Sequence, residues 1–232
     1  MKRMKANKPI IGKYILDSLS IGMYNHPLML VREYIQNATD AIDDYKRTNR
    51  DKKYEPRVDV KIDGRTRCLA IYDNGSGIPS NQSWQVLHDI GNSKKKLNES
   101  RGFRGIGRLG GIGYCDRLVF ITKYQNEHVY TINSWDCRKL KNIIKSEKYF
   151  DTHGVLEEII NYEQEVYEGD IKDHFFKVEM INLSSSRDML LNVPLIKQYI
   201  SEVAPVPFNR SQFSYAREIE SELKKRLVNY QT

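Results

Sequence analysis

A chain of 232 residues, 40% hydrophobic and 29% charged, has the composition of a soluble globular protein and the length for one large domain, or one domain and the start of another. Its 37 Lys and Arg outnumber 30 Asp and Glu, a formal charge of +7 that favours anionic partners without choosing among nucleotides, nucleic acids and acidic surfaces. No apolar run approaches the roughly 20 residues that span a bilayer, and Cys68, Cys115 and Cys137 form neither a CxxC pair nor a disulfide framework, so the expected setting is cytoplasmic, with no membrane partner.

The basic opening MKRMKANKPIIGKYILDS lacks the apolar core of a secretory signal. Residues 12–24 read as a helix through Ile15, Leu16, Leu19 and Met23. Pro27 then opens a second helix that runs to about Arg47. In it, Val31, Ile35, Ala38 and Ile42 gather on one side, and Glu33, Asn37, Asp40 and Asp44 on the other. RVDVKID and RCLAIYD are strand-like runs joined around Gly64, and the second ends at Asp73 in the turn-rich DNGSGIP. Residues 81–90 read as a helix, followed by the polar loop GNSKKKLNESR and the glycine-dense GFRGIGRLGGIG. DRLVFITKY, HVYTINSW and FFKVEMINL are further strands, with one or two helical turns among 151–175. VPLIKQYISEVA is a helix ended by Pro205 and Pro207. The tail places Ala216, Ile219, Leu223 and Leu227 on one stripe that needs a partner surface. The pattern predicts an α/β sandwich with a mixed sheet, a domain over 1–207, and a linker with the start of a following region over 208–232.

Three segments carry chemistry. The polar line of the second helix is also what a solvated helix face looks like. DNGSGIP is also a tight turn, since glycine takes φ > 0 at little cost. GFRGIGRLGGIG supplies bare backbone N–H groups that could hold phosphates, or a flexible loop before close helix packing. Gly105, Gly107 and Gly110 match G-x-G-x-x-G, but no buried strand precedes them as a dinucleotide fingerprint requires. The absence of G-K-[ST] excludes a P-loop, and the absence of H-R-D and D-F-G excludes a protein kinase.

In order and spacing, Glu-x-x-x-Asn-x-x-Asp-Ala at 33–41, Asp-x-Gly-x-Gly at 73–77 and Gly-x-x-Gly-x-Gly at 102–107 resemble the GHKL (Bergerat-fold) ATPases. The wording LDSLSIGMYNHPLMLVREYIQNATDAID is most similar to the HSP-ninety-type chaperone branch, and the resemblance covers about residues 12–203. It implies a two-layer α/β sandwich whose sheet is mostly antiparallel and whose helices lie on one face. It also implies that Glu33 acts as general base on water, that Asn37 holds Mg²⁺, and that Asp73 recognises adenine beside Asp40, Ala41, Gly75 and Gly77. Gly102, Gly105, Ile106 and Gly107 would cradle the phosphates of ATP. Residues 92–107 would form a lid, with Ser93, Lys94 and Arg104 as contacts.

Two departures from the chaperone pattern stand out. Phe103 and Arg104 occur in the reverse of the usual order, and no Gly-Thr pair opens the strand in KDHFFKVEM, so no threonine is assigned to the base. Thr152 is the threonine upstream of that strand. The expected function is slow ATP hydrolysis with nucleotide-dependent closure or homodimerisation, aided by a following domain, and with ATP, ADP and a protein client as partners. The alternative is the ATPase module of a nucleic-acid machine of MutL, MORC or topoisomerase type, suggested by basic clusters at 46–57, 94–104 and 138–148. A histidine kinase fits least, because Arg32 stands where that branch has its histidine.

Overall fold

The computed structural model describes residues 26–49, 53–88, 107–146 and 152–203, with isolated positions between 215 and 225. The helix expected over 12–24, the tail stripe, and the loop at 89–106 lie outside the described residues.

Helix α1, Pro27–Thr48, opens the described chain. His26 precedes it in extended conformation, and Pro27 occupies the first turn, where a missing N–H loses no helical bond. Lys46 and Arg47 sit in the last turn, at the negative end of the dipole. The buried stripe is wider than the one read from the sequence: Leu30, Tyr34 and Tyr45 join Val31, Ile35, Ala38 and Ile42. Burial of each large apolar side chain contributes about 1.5–3 kcal/mol, so this stripe anchors the helix.

Strands β1, Val58–Asp63, and β2, Cys68–Asp73, form an antiparallel hairpin. The Asp63 carboxylate accepts from the Arg65 and Thr66 amides at 2.8 and 3.3 Å, which folds the connection back. Helix α2, Ser80–His88, follows, and a 3-10 helix spans Gly107–Gly113. Strands β3, Cys115–Lys123, and β4, Val129–Asp136, come next.

Two elements here were not legible as such. Helix α3, Cys137–Lys145, coincides with residues read only as a basic cluster. It buries Cys137, Leu140 and Ile143 at helical spacing, and Asp136 caps it by accepting from the Lys139 amide at 2.7 Å. Helix α4, Thr152–Ile159, matches the expected helical turns, but it runs straight into strand β5, Ile160–Val166. Among the described residues that strand pairs on one side only, and it exposes Glu163 and Glu165, so its sequence lacks an apolar run. Strand β6, Phe175–Leu183, and helix α5, Val193–Val203, complete the described fold.

The sheet order is β1-β2-β6-β3-β4-β5, and every pairing is antiparallel. Leu69, Ile71, Leu118, Phe120, Trp135, Val178 and Met180 face one core shared with the helices. Alternate residues turn to the opposite side, where Lys177 and Glu179 pair at 2.6 Å. The architecture is thus the expected two-layer α/β sandwich, but the described sheet is wholly antiparallel and not mixed. The late strand β6 slots between β2 and β3, which brings the end of β2, the start of β6 and the end of β3 together.

The 3-10 helix is tied to α1 by one side chain. Tyr34, buried, donates its hydroxyl to the Arg108 carbonyl at 2.9 Å and accepts from the Gly111 amide at 3.1 Å. Loss of a hydroxyl that leaves two buried backbone groups unpaired costs about 1–3 kcal/mol. Tyr34→Phe is therefore expected to lower the urea midpoint by an amount in that range; an unchanged midpoint would show that these bonds do not hold the segment.

Candidate functional site

The polar line of α1 does not face open solvent along its length. Near its start, the Glu33 side chain lies directly against Gly107. A Cβ at position 107 would stand 2.6 Å from the Glu33 Cδ and closer still to Oε1, so a side chain there would displace the Glu33 carboxylate. Two turns on, Gly75 lies against Ala41 in the same way. A Cβ at position 75 would come within 2.6 Å of the Ala41 carbonyl carbon and 2.8 Å of the Asp73 carboxylate. The Ser76 amide donates to the Ala41 carbonyl at 3.1 Å, locking the DNGSG turn onto the helix. The two contacts are eight residues apart on α1, about 12 Å at the helical rise per residue. Asn37 and Asp40 lie between them on the helix.

The end near Ala41 is built around buried carboxylates. Asp73 is 3% exposed, and its Oδ1 accepts from the Gly75 amide at 2.9 Å. Burial pushes its carboxyl up to about 7, and the Gly75 bond offsets only part of that. Asp40 is 8% exposed; its Oδ1 accepts from Gln36 at 2.9 Å, while the buried Oδ2 has no hydrogen-bond partner among the described residues. A buried acceptor without a donor is costly unless a ligand or water supplies one. Asp44, on the same line, instead pairs with Arg47 at the surface.

Gly77 has a structural reason to be glycine. Its φ is +63°, and a Cβ would run into the Lys123 carbonyl at the end of β3. The following amide, Ile78, donates to the buried Thr122 hydroxyl at 2.9 Å, which itself donates to the Phe175 carbonyl at 3.2 Å. Phe176 stands opposite Asp73 on β6, so the strand beside Asp73 presents an aromatic residue there and no Gly-Thr pair. Thr152 opens α4, which leads into the edge strand β5, separated from β2 by three strands. Ser93, Lys94, Gly102, Arg104, Gly105 and Ile106 lie outside the described residues.

Several groups at the site carried no sequence signal. Lys123 is fully buried, and its ammonium donates to the carbonyls of Ile171 and Asp173 at 3.1 and 2.8 Å, 4.8 Å from the centre of the Tyr167 ring. Burial pulls its pKa down. His174, just before β6, stacks on Tyr45 of α1 with ring centres 3.9 Å apart and bonds to the Gly75 carbonyl at 2.6 Å. Tyr54 donates to the Asn74 carbonyl at 2.8 Å. These residues converge through β6 and the loop after α1, and nothing in their spacing announces it.

The described residues hold no cluster of three or more His, Cys, Asp or Glu side chains able to bind a metal ion by themselves. A hard cation here would therefore take one or two protein oxygens, such as that of Asn37, and complete its shell from water or a ligand, the usual habit of Mg²⁺. Carboxylates at one end, glycine-exposed backbone at the other and a polar helix face between them suit a nucleoside polyphosphate.

The family described as histidine kinase-, DNA gyrase B-, and HSP90-like ATPase matches residues 26–164, more than half of the chain. The chain belongs to that family. It is also similar to the chaperone protein HtpG of several bacteria. It is 28% identical to that of Helicobacter hepaticus over 131 residues, 49% of this chain and 21% of the relative. It is 33% identical to that of Campylobacter jejuni subsp. doylei over 124 residues, 48% and 20% of the two chains. With HtpG of Clostridium botulinum the match is 26% over 228 residues, 90% of this chain and 36% of the relative. The chain thus spans between about a fifth and just over a third of the length of these relatives.

The raised carboxyl of Asp73 makes stability depend on pH. An unfolded aspartate ionises near 3.9, whereas Asp73 in the fold keeps its proton up to about 7. Between those values the folded state binds the extra proton, so stability falls as pH rises and the full loss is present above about 7. The span of about three pH units corresponds to roughly 4 kcal/mol at most. Asp73→Asn, which cannot ionise, is expected to close the stability gap between pH 5 and pH 8 in denaturant titrations, while the wild type loses stability across it. Parallel curves for the two proteins would place the ionisation elsewhere.

Proposed function

We propose that this chain is the ATP–Mg²⁺-binding module of a chaperone-like ATPase. The observation that supports the reading is the placement of Glu33 against Gly107 and of Ala41 against Gly75 beside Asp73, at two points along one face of α1. Adenine sits at the Asp73 end, its amino group donating to the carboxylate, with Asp40 and Ala41 shaping the wall. The triphosphate runs toward Gly107, where Gly102, Arg104, Gly105 and Ile106, with Ser93 and Lys94 of a lid over 92–107, complete the cradle.

Asn37, one helical turn beyond Glu33, is the protein oxygen that holds the cation. Bound there, Mg²⁺ offsets charge on the phosphate oxygens. Glu33 accepts a proton from the attacking water as its oxygen bonds to the γ-phosphorus, and the bond from that phosphorus to the bridging oxygen breaks. Turnover by this chain alone is slow, because the resemblance assigns a γ-phosphate cation to a following domain. Lid closure then drives dimerisation or another conformational change. A domain over 1–207, a linker over 208–232 and a cytoplasmic setting complete the reading. Among the described residues no helix is long and apolar enough to cross a membrane.

Titration of ATP and ADP, with and without Mg²⁺, tests the pocket. Wild type is expected to bind both and Asp73→Ala to lose adenine-dependent affinity; equal affinity in the variant would move the base elsewhere. Glu33→Ala should lower hydrolysis by about 100-fold or more while leaving nucleotide binding in place. Hydrolysis that survives the substitution removes Glu33 from its role.

A further inference from the structure

We infer that His174 is a positioning residue for base recognition: it holds the Gly75–Ser76 peptide, next to the one whose amide bonds Asp73, and so sharpens the preference for adenine over bases lacking its amino group. The inference rests on the nucleotide reading above and deepens it.

The DNGSG turn is held peptide by peptide. The Asn74–Gly75 peptide is pinned at its carbonyl by the Tyr54 hydroxyl at 2.8 Å and at its N–H by Asp73 Oδ1 at 2.9 Å. The next peptide, Gly75–Ser76, is pinned at its N–H by the Ala41 carbonyl at 3.1 Å and at its carbonyl by His174 at 2.6 Å. Gly75 is the residue between those planes. Glycine has more accessible backbone conformations than any other residue, so the four anchors, not steric restriction, define its φ and ψ. Glycine is nonetheless required there, because a Cβ would collide with Ala41.

His174 is the one of the four anchors that comes from β6's approach, far from the turn in sequence. A carbonyl only accepts, so Nδ1 carries the proton and donates. The ring cannot swing, because it stacks at 23° on Tyr45, itself 5% exposed, and Tyr54 tilts against both rings at 4.6 and 5.9 Å. Tyr45 lies one turn beyond Ala41 on α1, so the helix that touches Gly75 also holds the side chain that pins Gly75 from the other side. Without the His174 donor, the Gly75 carbonyl loses its partner, and the Gly75–Ser76 peptide is held only through the Ser76 N–H. That loosening passes through the Gly75 dihedrals to the adjoining Asn74–Gly75 peptide, whose amide bonds Asp73, and the direction of the carboxylate becomes less sharply defined. A hydrogen bond to a base edge is sensitive to that direction, whereas contacts to phosphates at the far end of α1 are not.

The test compares ADP with inosine diphosphate, which carries an oxygen where adenine has its amino group, by calorimetric titration with Mg²⁺ present. Wild type should prefer ADP. His174→Phe keeps a ring for Tyr45 but has no donor, and is expected to reduce that preference by about fivefold to tenfold through weaker ADP binding, with inosine diphosphate affinity little changed. His174→Asn, which places an amide donor near the position of Nδ1, should restore most of the preference. A wild type without preference overturns the nucleotide reading itself. A wild type with preference and a His174→Phe protein that keeps it overturns this inference alone, as does an equal loss for both nucleotides. If His174→Phe does not fold, His174→Asn decides: preference retained supports the role of the donor, and preference lost refutes it.

Discussion

A methyl group has no room at position 75, and at position 107 it would displace the Glu33 carboxylate; the architecture of the site follows from these two contacts. Backbone can lie directly on α1 only where the residue brings no side chain of its own. Gly107 admits the Glu33 carboxylate, and Gly75 admits Ala41. Each contact sets a loop at a fixed height along the helix, so the line from Glu33 to Ala41 is bounded by backbone at both ends.

Sheet topology supplies the second half of the geometry. Because β6 is inserted between β2 and β3, the end of β2 is flanked by residues that arrive about a hundred positions later in the chain. Phe176 lies opposite Asp73, and Thr122 and Lys123 close the turn from β3. Burial produced by this insertion raises the Asp73 carboxyl, and little else in its surroundings offsets it. A carboxyl poised near neutrality is responsive to what binds it: a donor supplied by a ligand favours the ionised form, whereas an empty site favours the proton.

Much of the fold was legible because its parts obey local rules. α1 shows both its apolar stripe and its first-turn proline, and β1 shows alternation of apolar and charged residues. The three motif segments were legible by order and spacing, and the described residues of all three do meet. What escaped notice obeys long-range rules. α3 hides its three buried positions among lysines and arginine, and β5 is an edge strand whose outward residues are polar. His174, Thr122 and Lys123 act through the register of β6 with β2 and β3, which no window of sequence displays. The aromatic at 176 could be seen as a missing threonine, but its position opposite Asp73 could not.

The exposed rim of β5 bears on how copies of this chain can meet. An unpaired strand is an open invitation to extend the sheet with a neighbour. Here the rim carries Glu163 and Glu165, so a second β5 laid alongside would bring carboxylate against carboxylate. The opposite margin, β1, alternates Asp59, Lys61 and Asp63 on its outward side. A second β5 laid on that rim would meet like charge, so the acidic margin is poorly suited to pairing with a copy of itself.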